Sequence, residues 1–377
     1  MIYFDNAASG GRKPDNVISA VLSSLKVCAN PGRSAHKAAL ACATVVDSCR
    51  KQLDRFFDGY GFERIAFTKN CTEALNLALF GVLHKGDHVV TTCMEHNSVL
   101  RPLEKMKRDG RITYDVCPLS SSDDQGNISP KTIKSLIKPN TRLVAITSAS
   151  NVNGAIPPIA EIKKVLPKHT LLLCDGAQGG GHFPLKMRET GIDLLSLAGH
   201  KGMMGIQGSG ALLFSDRVDP EPFFYGGTGS MSLSLAMPDF YPDALESGTL
   251  SFPAIVSLLE GIRFLTEHGD EITKRLYTLT EYLLSKIQTL DFYSAYSIPN
   301  PCGIVALRHK YLQSEFVASA LSNRFDIAVR SGLHCAPLMH EALGTLDDGL
   351  IRVSFSHFNS LSEIDSLTSA LSEIEHA

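Results

Sequence analysis

The chain has 377 residues, 44% hydrophobic and 20% charged, which is typical of a globular protein with a substantial core. Its net charge of -3 argues against binding to nucleic acid. No apolar run approaches the roughly 18 residues that would span a membrane, and the N-terminus lacks the basic start of a signal peptide. Nine cysteines, scattered singly, do not indicate a disulfide framework, so we expect a cytoplasmic protein.

The first predicted elements are a short strand at 2–4, a turn of small residues at 5–11, and a helix from Pro14 with Val17, Val21 and Leu25 on one face. A loop at 30–36, rich in residues with special backbone preferences, precedes a long helix that ends near Phe57. This loop is interpreted as functional because it contains both an arginine and a histidine. The alternative is the ordinary start of a helix.

A predicted strand at 65–68 leads into a helix that begins near Cys71 and Thr72. A helix N-terminus after a strand offers free N–H groups and positive potential, so a phosphate could bind there with help from the Thr72 hydroxyl. Alternatively, Thr72 only caps the helix.

The next predicted strand, 88–92, is followed by Glu95 and His96. His96 could lie over a planar cofactor, or it could be a structural histidine at a helix start. Cys93 and His96 have the spacing of half a zinc site, but no second pair is near in the sequence, so we expect no metal.

Further strands are predicted at 143–147 and 171–175, and the second of these ends in Asp175. A carboxylate at the end of a buried strand points into the crevice where open α/β sheets bind ligands. Past another apolar run stands Lys201, among small residues that would desolvate its amine and lower its pKa. Pyridoxal phosphate needs a lysine for its aldehyde and an aspartate to keep its ring nitrogen protonated, so the two residues together indicate that cofactor.

The glycine-rich loops after Lys201 complete neither a dinucleotide-binding motif nor a P-loop. A helical stretch from Ala254 is predicted to bridge to a smaller domain, and the last helix begins with a capping box of Ser360 and Glu363. Cys335 lies in a loop bounded by glycine and proline, beside His334 and near Arg330. Positive charge nearby would favour its thiolate, although an inert buried thiol is the alternative.

With these motifs in this order, the chain resembles the cysteine desulfurases, which belong to the class V aminotransferase group of fold-type I pyridoxal-phosphate enzymes. The resemblance extends from 4–8 through 67–74 to 351–354. It implies an α/β fold in which a large domain, 15–255, has a mostly parallel seven-stranded sheet. A smaller α+β domain, 1–14 and 256–377, would carry the cysteine loop.

The resemblance also implies pyridoxal 5'-phosphate as cofactor, with Lys201 bonded to its aldehyde, Asp175 on its ring nitrogen and His96 stacked on its ring. Gln178 would hydrogen-bond the ring hydroxyl, with Asn151 near it. Thr72, the Cys71 backbone and His200 would hold the phosphate. Thr249 would reach the phosphate of the other subunit in a homodimer.

The reaction that the resemblance implies converts L-cysteine to L-alanine and leaves the sulfur on Cys335 as a persulfide for an acceptor protein. Lys201, Cys335 and His96 would be the catalytic residues. The substrate would be bound by a further set, with Arg352 on its carboxylate: Asn6, His36, Asn151, Arg330 and Arg352.

Three positions depart from the family pattern: Ala198 replaces a serine, Asn153 an apolar residue and Leu333 a histidine. The short Cys335 loop resembles group II of the family, and the loop at 30–34 resembles a side branch associated with selenium metabolism. Alternatives are therefore a selenocysteine lyase acting on L-selenocysteine, or another class V reaction in which Cys335 is idle. A non-catalytic scaffold is a third, which Lys201 and Asp175 disfavour.

Overall fold

The computed structural model describes residues 1–27, 29–31, 34–120 and 127–375. The predicted loop at 30–36 therefore lies partly outside the described residues. The strands are β1 (Ile2–Tyr3), β2 (Ile65–Thr68), β3 (Asp87–Thr92), β4 (Ile112–Cys117), β5 (Thr141–Thr147), β6 (Leu171–Asp175), β7 (Leu194–Ala198), β8 (Gly210–Phe214), β9 (Tyr293–Ala295), β10 (Ile304–His309), β11 (Ile327–Ala328) and β12 (Ile351–Ser354). The helices are α1 (Asp15–Ser24), α2 (Lys37–Phe57), α3 (Cys71–Val82), α4 (Asn97–Arg108), α5 (Pro130–Leu136), α6 (Ile159–Val165), α7 (Met187–Thr190), α8 (Phe252–Ile287), α9 (Ser314–Phe325), α10 (Pro337–Leu343) and α11 (Leu361–Glu375).

The central sheet has seven strands in the order β2-β8-β7-β6-β5-β3-β4. Only β8 runs antiparallel to its neighbours, β2 and β7. β5, β6 and β7 are almost wholly buried and mostly apolar, as expected for parallel strands covered by helices on both faces. The predicted α/β fold with a mostly parallel seven-stranded sheet is therefore confirmed.

The parallel strands deliver their carboxyl ends to one edge of the sheet. β3 ends at Thr92, β5 at Thr147, β6 at Asp175 and β7 at Ala198. The turns that follow these strands therefore lie together, as the crossover rule predicts.

A second, antiparallel sheet of β9, β10 and β12 is formed by the C-terminal part of the chain. β1, near the N-terminus, pairs with β11, and Asp5 bridges to Ser354 just past β1. α8, 36 residues long, packs against α1, α2 and α11. The division into 15–255 and 1–14 with 256–377 stays a prediction, and this pairing is compatible with it.

Two details of the predicted helices can be compared with the structure, and one of them differs. Leu25 lies beyond the end of α1 and is exposed, because α1 stops at Ser24. The capping box at Ser360 and Glu363 is confirmed, since each residue's side chain accepts a hydrogen bond from the other's backbone N–H. None of the helices in the described part of the chain is long and apolar enough to cross a membrane.

Candidate active site

A cavity lies where β3, β5, β6 and β7 end. Its wall brings together eight of the residues predicted to hold a cofactor. The lining residues are Asn70, Cys71, Thr72, Leu75, His96, Ser98, Thr147, Asn151, Asp175, Ala177, Gln178, Ala198, His200 and Lys201.

Lys201 lies three residues past β7, in a tightly packed turn. A Cβ on the adjacent Gly202 would lie 2.4 Å from the Gly180 carbonyl oxygen, so this position requires glycine. Desolvation lowers the pKa of the Lys201 amine, and the Arg352 guanidinium lowers it further. The predicted desolvation of Lys201 is confirmed in direction, and such an amine is closer to its nucleophilic neutral form.

Asp175 is buried at the end of β6 and is held by two donors on one carboxylate oxygen. The backbone N–H of Ala177 lies 2.9 Å from Oδ1, and the Cys71 thiol lies 3.3 Å from the same atom. Burial and the Asp175 charge raise the pKa of the Cys71 thiol well above its usual value, so the thiol keeps its proton and donates it. Both donors bind Oδ1, and Oδ2 accepts no hydrogen bond from a described residue.

Gln178 and Asn151 form another part of the wall. The Gln178 amide nitrogen donates to the Ala7 carbonyl oxygen at 3.0 Å, while its buried Oε1 has no partner among the described residues. Asn151 donates to the His334 carbonyl oxygen at 2.7 Å. An unpaired buried acceptor is costly, so Gln178 Oε1 suits a ligand hydroxyl that donates to it.

His96 caps the N-terminus of α4. Its Nδ1 accepts from the Ser98 backbone N–H at 3.0 Å and contacts the Ser98 hydroxyl at 2.9 Å. Desolvation lowers the pKa of His96 to about 4, so the ring is neutral at physiological pH. His96 is therefore both the structural cap of α4 and part of the cavity wall.

The side chains predicted to hold a phosphate stand at the N-terminus of α3. Thr72 does not cap this helix: Asn70 does, by accepting from the Glu73 backbone N–H at 2.9 Å. The Thr72 hydroxyl instead pairs with that of Ser98 at 2.8 Å. His200 contacts the Ser9 hydroxyl at 3.2 Å, and desolvation lowers its pKa to about 4.

Arg352 is 1% exposed on β12 and lies behind Asn151. It donates to the Asn151 carbonyl oxygen and to Asp5 Oδ1, both at 2.9 Å. Its buried Nε has no partner among the described residues. Asn6, by contrast, uses its side chain to bind backbone groups of Tyr3, Ser354 and Gly11.

Cys335 is exposed, so the alternative of an inert buried thiol is wrong. Its sulfur lies 4.0 Å from a guanidinium nitrogen of Arg330. Its carbonyl oxygen accepts from the Asn97 backbone N–H at 2.7 Å, which ties the loop to the start of α4. His334 and Cys335 have φ values of 48° and 58°, a conformation that costs non-glycine residues energy, so these contacts hold a strained loop in place.

Six predicted residues are not part of the cavity wall: Asn6, Arg330, Cys335 and Arg352, described above, and His36 and Thr249. His36 is exposed and caps α2 by accepting from the Ala39 backbone N–H at 3.2 Å. Thr249 is exposed in a separate groove with Phe224 and Tyr225. Their roles stay predictions. Within the described residues, no cluster of three or more His, Cys, Asp or Glu side chains could hold a metal ion.

Three residues of the site were missed. The Ser98 hydroxyl contacts both His96 and Thr72. Its position two residues after His96 is the feature of the sequence that could have indicated this contact. Asp5 pairs with Arg352 across the chain, and Asn70 caps α3. Asp5 and Asn70 lie inside the segments 4–8 and 67–74 that carry the family resemblance, but the partner of Asp5 is distant in sequence and that of Asn70 is a backbone group.

A family model, curated relatives and a solved structure all relate this chain to the same group of proteins. The family described as Aminotransferase class-V matches residues 2–367. A probable cysteine desulfurase from Pyrococcus abyssi is 31% identical, with 99% of this chain and 94% of that protein covered. One from Methanothermobacter thermautotrophicus is 32% identical, with the same coverage of each. The apo structure of the cysteine desulfurase from Thermococcus onnurineus NA1 has a TM-score of 0.89 at 29% identity, and the match covers 100% of this chain and 94% of that one.

This family depends on pyridoxal phosphate, and the cavity fits that group. The wall offers a lysine amine, a buried carboxylate, and, at Gln178 Oε1, an acceptor that has no partner among the described residues. These match the aldehyde, ring nitrogen and ring hydroxyl of the cofactor. The chain belongs to the class V aminotransferases and, within them, to the pyridoxal-phosphate-dependent cysteine desulfurase family.

Proposed function

We propose that this protein is a cysteine desulfurase that converts L-cysteine to L-alanine and retains the sulfur on Cys335 as a persulfide. The observation that carries the proposal is the position of an exposed cysteine beside the cavity that contains Lys201 and Asp175. The Cys335 loop is bonded to that cavity through His334 to Asn151 and through Cys335 to Asn97.

The residues of the cavity wall would bind and orient the cofactor. Asp175 would pair with the ring nitrogen, Gln178 would accept from the ring hydroxyl with Asn151 near it, and neutral His96 would stack on the ring. Thr72, the Cys71 backbone N–H and His200 would hold the phosphate. When bound, pyridoxal phosphate supplies an aldehyde for amines and a ring that makes the substrate α proton acidic.

The substrate carboxylate binds Arg352, whose guanidinium is buried and already oriented by Asp5 and Asn151. Arg330, beside Cys335, adds a second positive charge. Asn6 and His36 are assigned to the same set by family resemblance alone. Asn6 would act through the N-terminal turn that it stabilises.

Lys201 and Cys335 carry the chemical steps. Lys201 Nζ, with its lowered pKa, takes up the substrate α proton. Cys335 thiolate then attacks the substrate sulfur, so that an S–S bond forms as the substrate C–S bond breaks. The electron pair of the C–S bond stays with the three-carbon fragment, which takes up one proton at its β carbon, receives another at its α carbon from Lys201, and leaves as alanine.

We further propose a homodimer in which Thr249 reaches the phosphate bound in the other subunit. Thr249 is exposed, and its loop is fixed to the sheet because Glu246 accepts from the Phe67 backbone N–H and pairs with Arg50. Large apolar side chains nearby in sequence are also exposed, a pattern typical of an interface: Phe224, Tyr225, Met231, Leu233, Leu235 and Phe240. A sulfur-acceptor protein and a cytoplasmic location complete the proposal.

The test is alanine release from L-cysteine, with a thiol reductant present, by the native chain, Cys335→Ser and the same-loop control Ser331→Ala. We expect release by the native chain and the control, and none by Cys335→Ser. The same assays are repeated with L-selenocysteine. Alanine from selenocysteine alone would replace the proposal with a selenocysteine lyase, and an active Cys335→Ser would indicate a reaction in which Cys335 is idle.

A further inference from the structure

The segment 5–13 contacts both halves of the site. Asp5 holds the Arg352 guanidinium, and the Ala7 carbonyl oxygen accepts from Gln178. Beyond them, the Ser9 hydroxyl contacts the ring of His200. The segment therefore spans from the residue that binds the substrate carboxylate to the turn that contains Lys201.

The His200 carbonyl oxygen is the main anchor point of this segment on the turn. It accepts from the Gly10 backbone N–H at 3.0 Å and from Lys13 Nζ at 2.9 Å. That carbonyl belongs to the peptide group that joins His200 to Lys201, so fixing it fixes the backbone of Lys201. On the other side, the Lys201 carbonyl oxygen accepts from the Met204 backbone N–H at 3.0 Å.

Lys13 is committed to this contact. It forms no ion pair with a carboxylate in the described part of the chain, and the His200 carbonyl is the acceptor that its ammonium group uses there. Desolvation lowers the pKa of Lys13 to about 8. A lysine that is partly withdrawn from water without a carboxylate partner is costly, and its hydrogen bond to the carbonyl offsets that cost.

Gly10 makes the approach of Lys13 possible. A Cβ at position 10 would lie 2.9 Å from Lys13 Nζ and 3.2 Å from the His200 carbonyl oxygen. Any larger residue would therefore crowd both the ammonium group and the carbonyl oxygen that it binds.

We propose that Lys13 is a positioning residue for Lys201: its ammonium group, with the Gly10 backbone N–H, holds the His200 carbonyl and so aims the Lys201 amine at the cofactor aldehyde. This inference rests on the proposed role of Lys201. It predicts that Lys13 contributes to binding only when the ligand bonds to Lys201.

The experiment measures the Kd of two ligands for the full-length chain freed of cofactor. Pyridoxal 5'-phosphate bonds to a lysine, whereas pyridoxine 5'-phosphate has the same ring and phosphate but no aldehyde. The variants are Lys13→Met, Lys13→Arg and Gly10→Ala, each with and without Lys201→Ala. The matched control is Lys85→Met, which removes an exposed lysine.

Lys13→Met is expected to raise the Kd of pyridoxal 5'-phosphate about tenfold, the effect of losing one charge-assisted hydrogen bond. Gly10→Ala should give the same loss, and Lys13→Arg should restore most of the affinity. The Kd of pyridoxine 5'-phosphate should not change. In the Lys201→Ala background, Lys13→Met should have no further effect on either ligand.

Equal weakening of both ligands, or a loss that persists without Lys201, would overturn the inference, because Lys13 would then act on the phosphate or on the fold. Failure of the proposed function gives a different result. If borohydride still links pyridoxal 5'-phosphate covalently to Lys201→Ala, the assignment of the lysine is wrong, whatever Lys13 does.

Discussion

The thiol of Cys71 donates a hydrogen bond to Asp175 Oδ1 across 3.3 Å and so joins the first turn of α3 to the end of β6. The two residues are 104 positions apart in the chain. Both are buried, and the raised pKa of Cys71 keeps its proton on sulfur. The aspartate is therefore oriented from the same helix terminus that is proposed to hold the phosphate.

Replacing Cys71 tests whether this bond orients Asp175. Cys71→Ala removes the donor and should weaken cofactor binding about fivefold, since a net hydrogen bond contributes roughly 1 kcal/mol. Cys71→Ser keeps a donor and should bind within about twofold of the native chain. Titrating the cofactor-free protein with pyridoxal 5'-phosphate gives both Kd values. Equal affinity for the alanine and serine variants would mean that the Ala177 N–H alone orients Asp175.

The pair of Asp5 and Arg352 predicts an effect on stability. Arg352 is 1% exposed, so Asp5→Ala leaves a buried cation without its carboxylate and should lower the free energy of unfolding by about 3 kcal/mol. Adding Arg352→Met should recover part of that loss, because the unpaired charge is gone. Urea unfolding of the cofactor-free native chain, the two single variants and the double variant measures this double-mutant cycle. Losses that simply add would show that the two residues are not coupled.

The sequence was sufficient to predict the site residues that follow strands of the central sheet. Asp175, His96 and Lys201 lie within a few residues of the ends of β6, β3 and β7, and parallel strands bring such positions to one edge whatever the details of packing. Apolar runs and glycine-rich turns were enough to predict them.

The sequence was not sufficient for contacts between segments that no local pattern connects. Asp5 and Arg352 meet only because the chain beyond β1 bridges to the end of β12. Lys13 reaches His200 across 187 positions, through a gap that depends on Gly10. The alternative that Thr72 caps α3 was wrong for a related reason. Asn70 competes with Thr72 for the same backbone N–H groups, and side-chain propensities do not decide which of the two residues caps the helix.

The exposure of Cys335 predicts selective alkylation. Of the eight cysteines in the described residues, seven are buried and only Cys335 is exposed. Short treatment with iodoacetamide should modify Cys335 before those seven, because alkylation requires an accessible thiolate. Peptide mass mapping measures the order, and Cys335→Ser should lose the early adduct. Early modification of Cys71 or Cys174 instead would contradict the burial of these two thiols.

The last prediction concerns Glu95, whose buried side chain accepts a hydrogen bond from Thr147 of the cavity wall. Its Oε1 accepts from the Thr92 hydroxyl and the Thr147 backbone N–H, while its Oε2 has no partner among the described residues. Burial raises the pKa of Glu95 from 4.5 to about 8, despite the two hydrogen bonds. The folded protein therefore keeps this carboxyl protonated at neutral pH.

The direction of the pH effect on stability follows from the difference between the pKa of Glu95 in the folded and in the unfolded chain. Above about pH 5 the unfolded chain releases the Glu95 proton and the folded chain does not, so rising pH favours unfolding until about pH 8. Glu95→Gln keeps the acceptor and cannot ionise. Relative to this variant, the native chain should lose up to about 1.4 kcal/mol of unfolding free energy per pH unit across that range.

Urea unfolding of the cofactor-free native chain, Glu95→Gln and the control Glu63→Gln at several pH values measures the effect. Glu63 is exposed, so its variant should follow the native pH profile. Parallel profiles for the native chain and Glu95→Gln would mean that Glu95 is ionised in the fold. A negative charge would then stand beside Asp175, where it would further favour a protonated ring nitrogen in the bound cofactor.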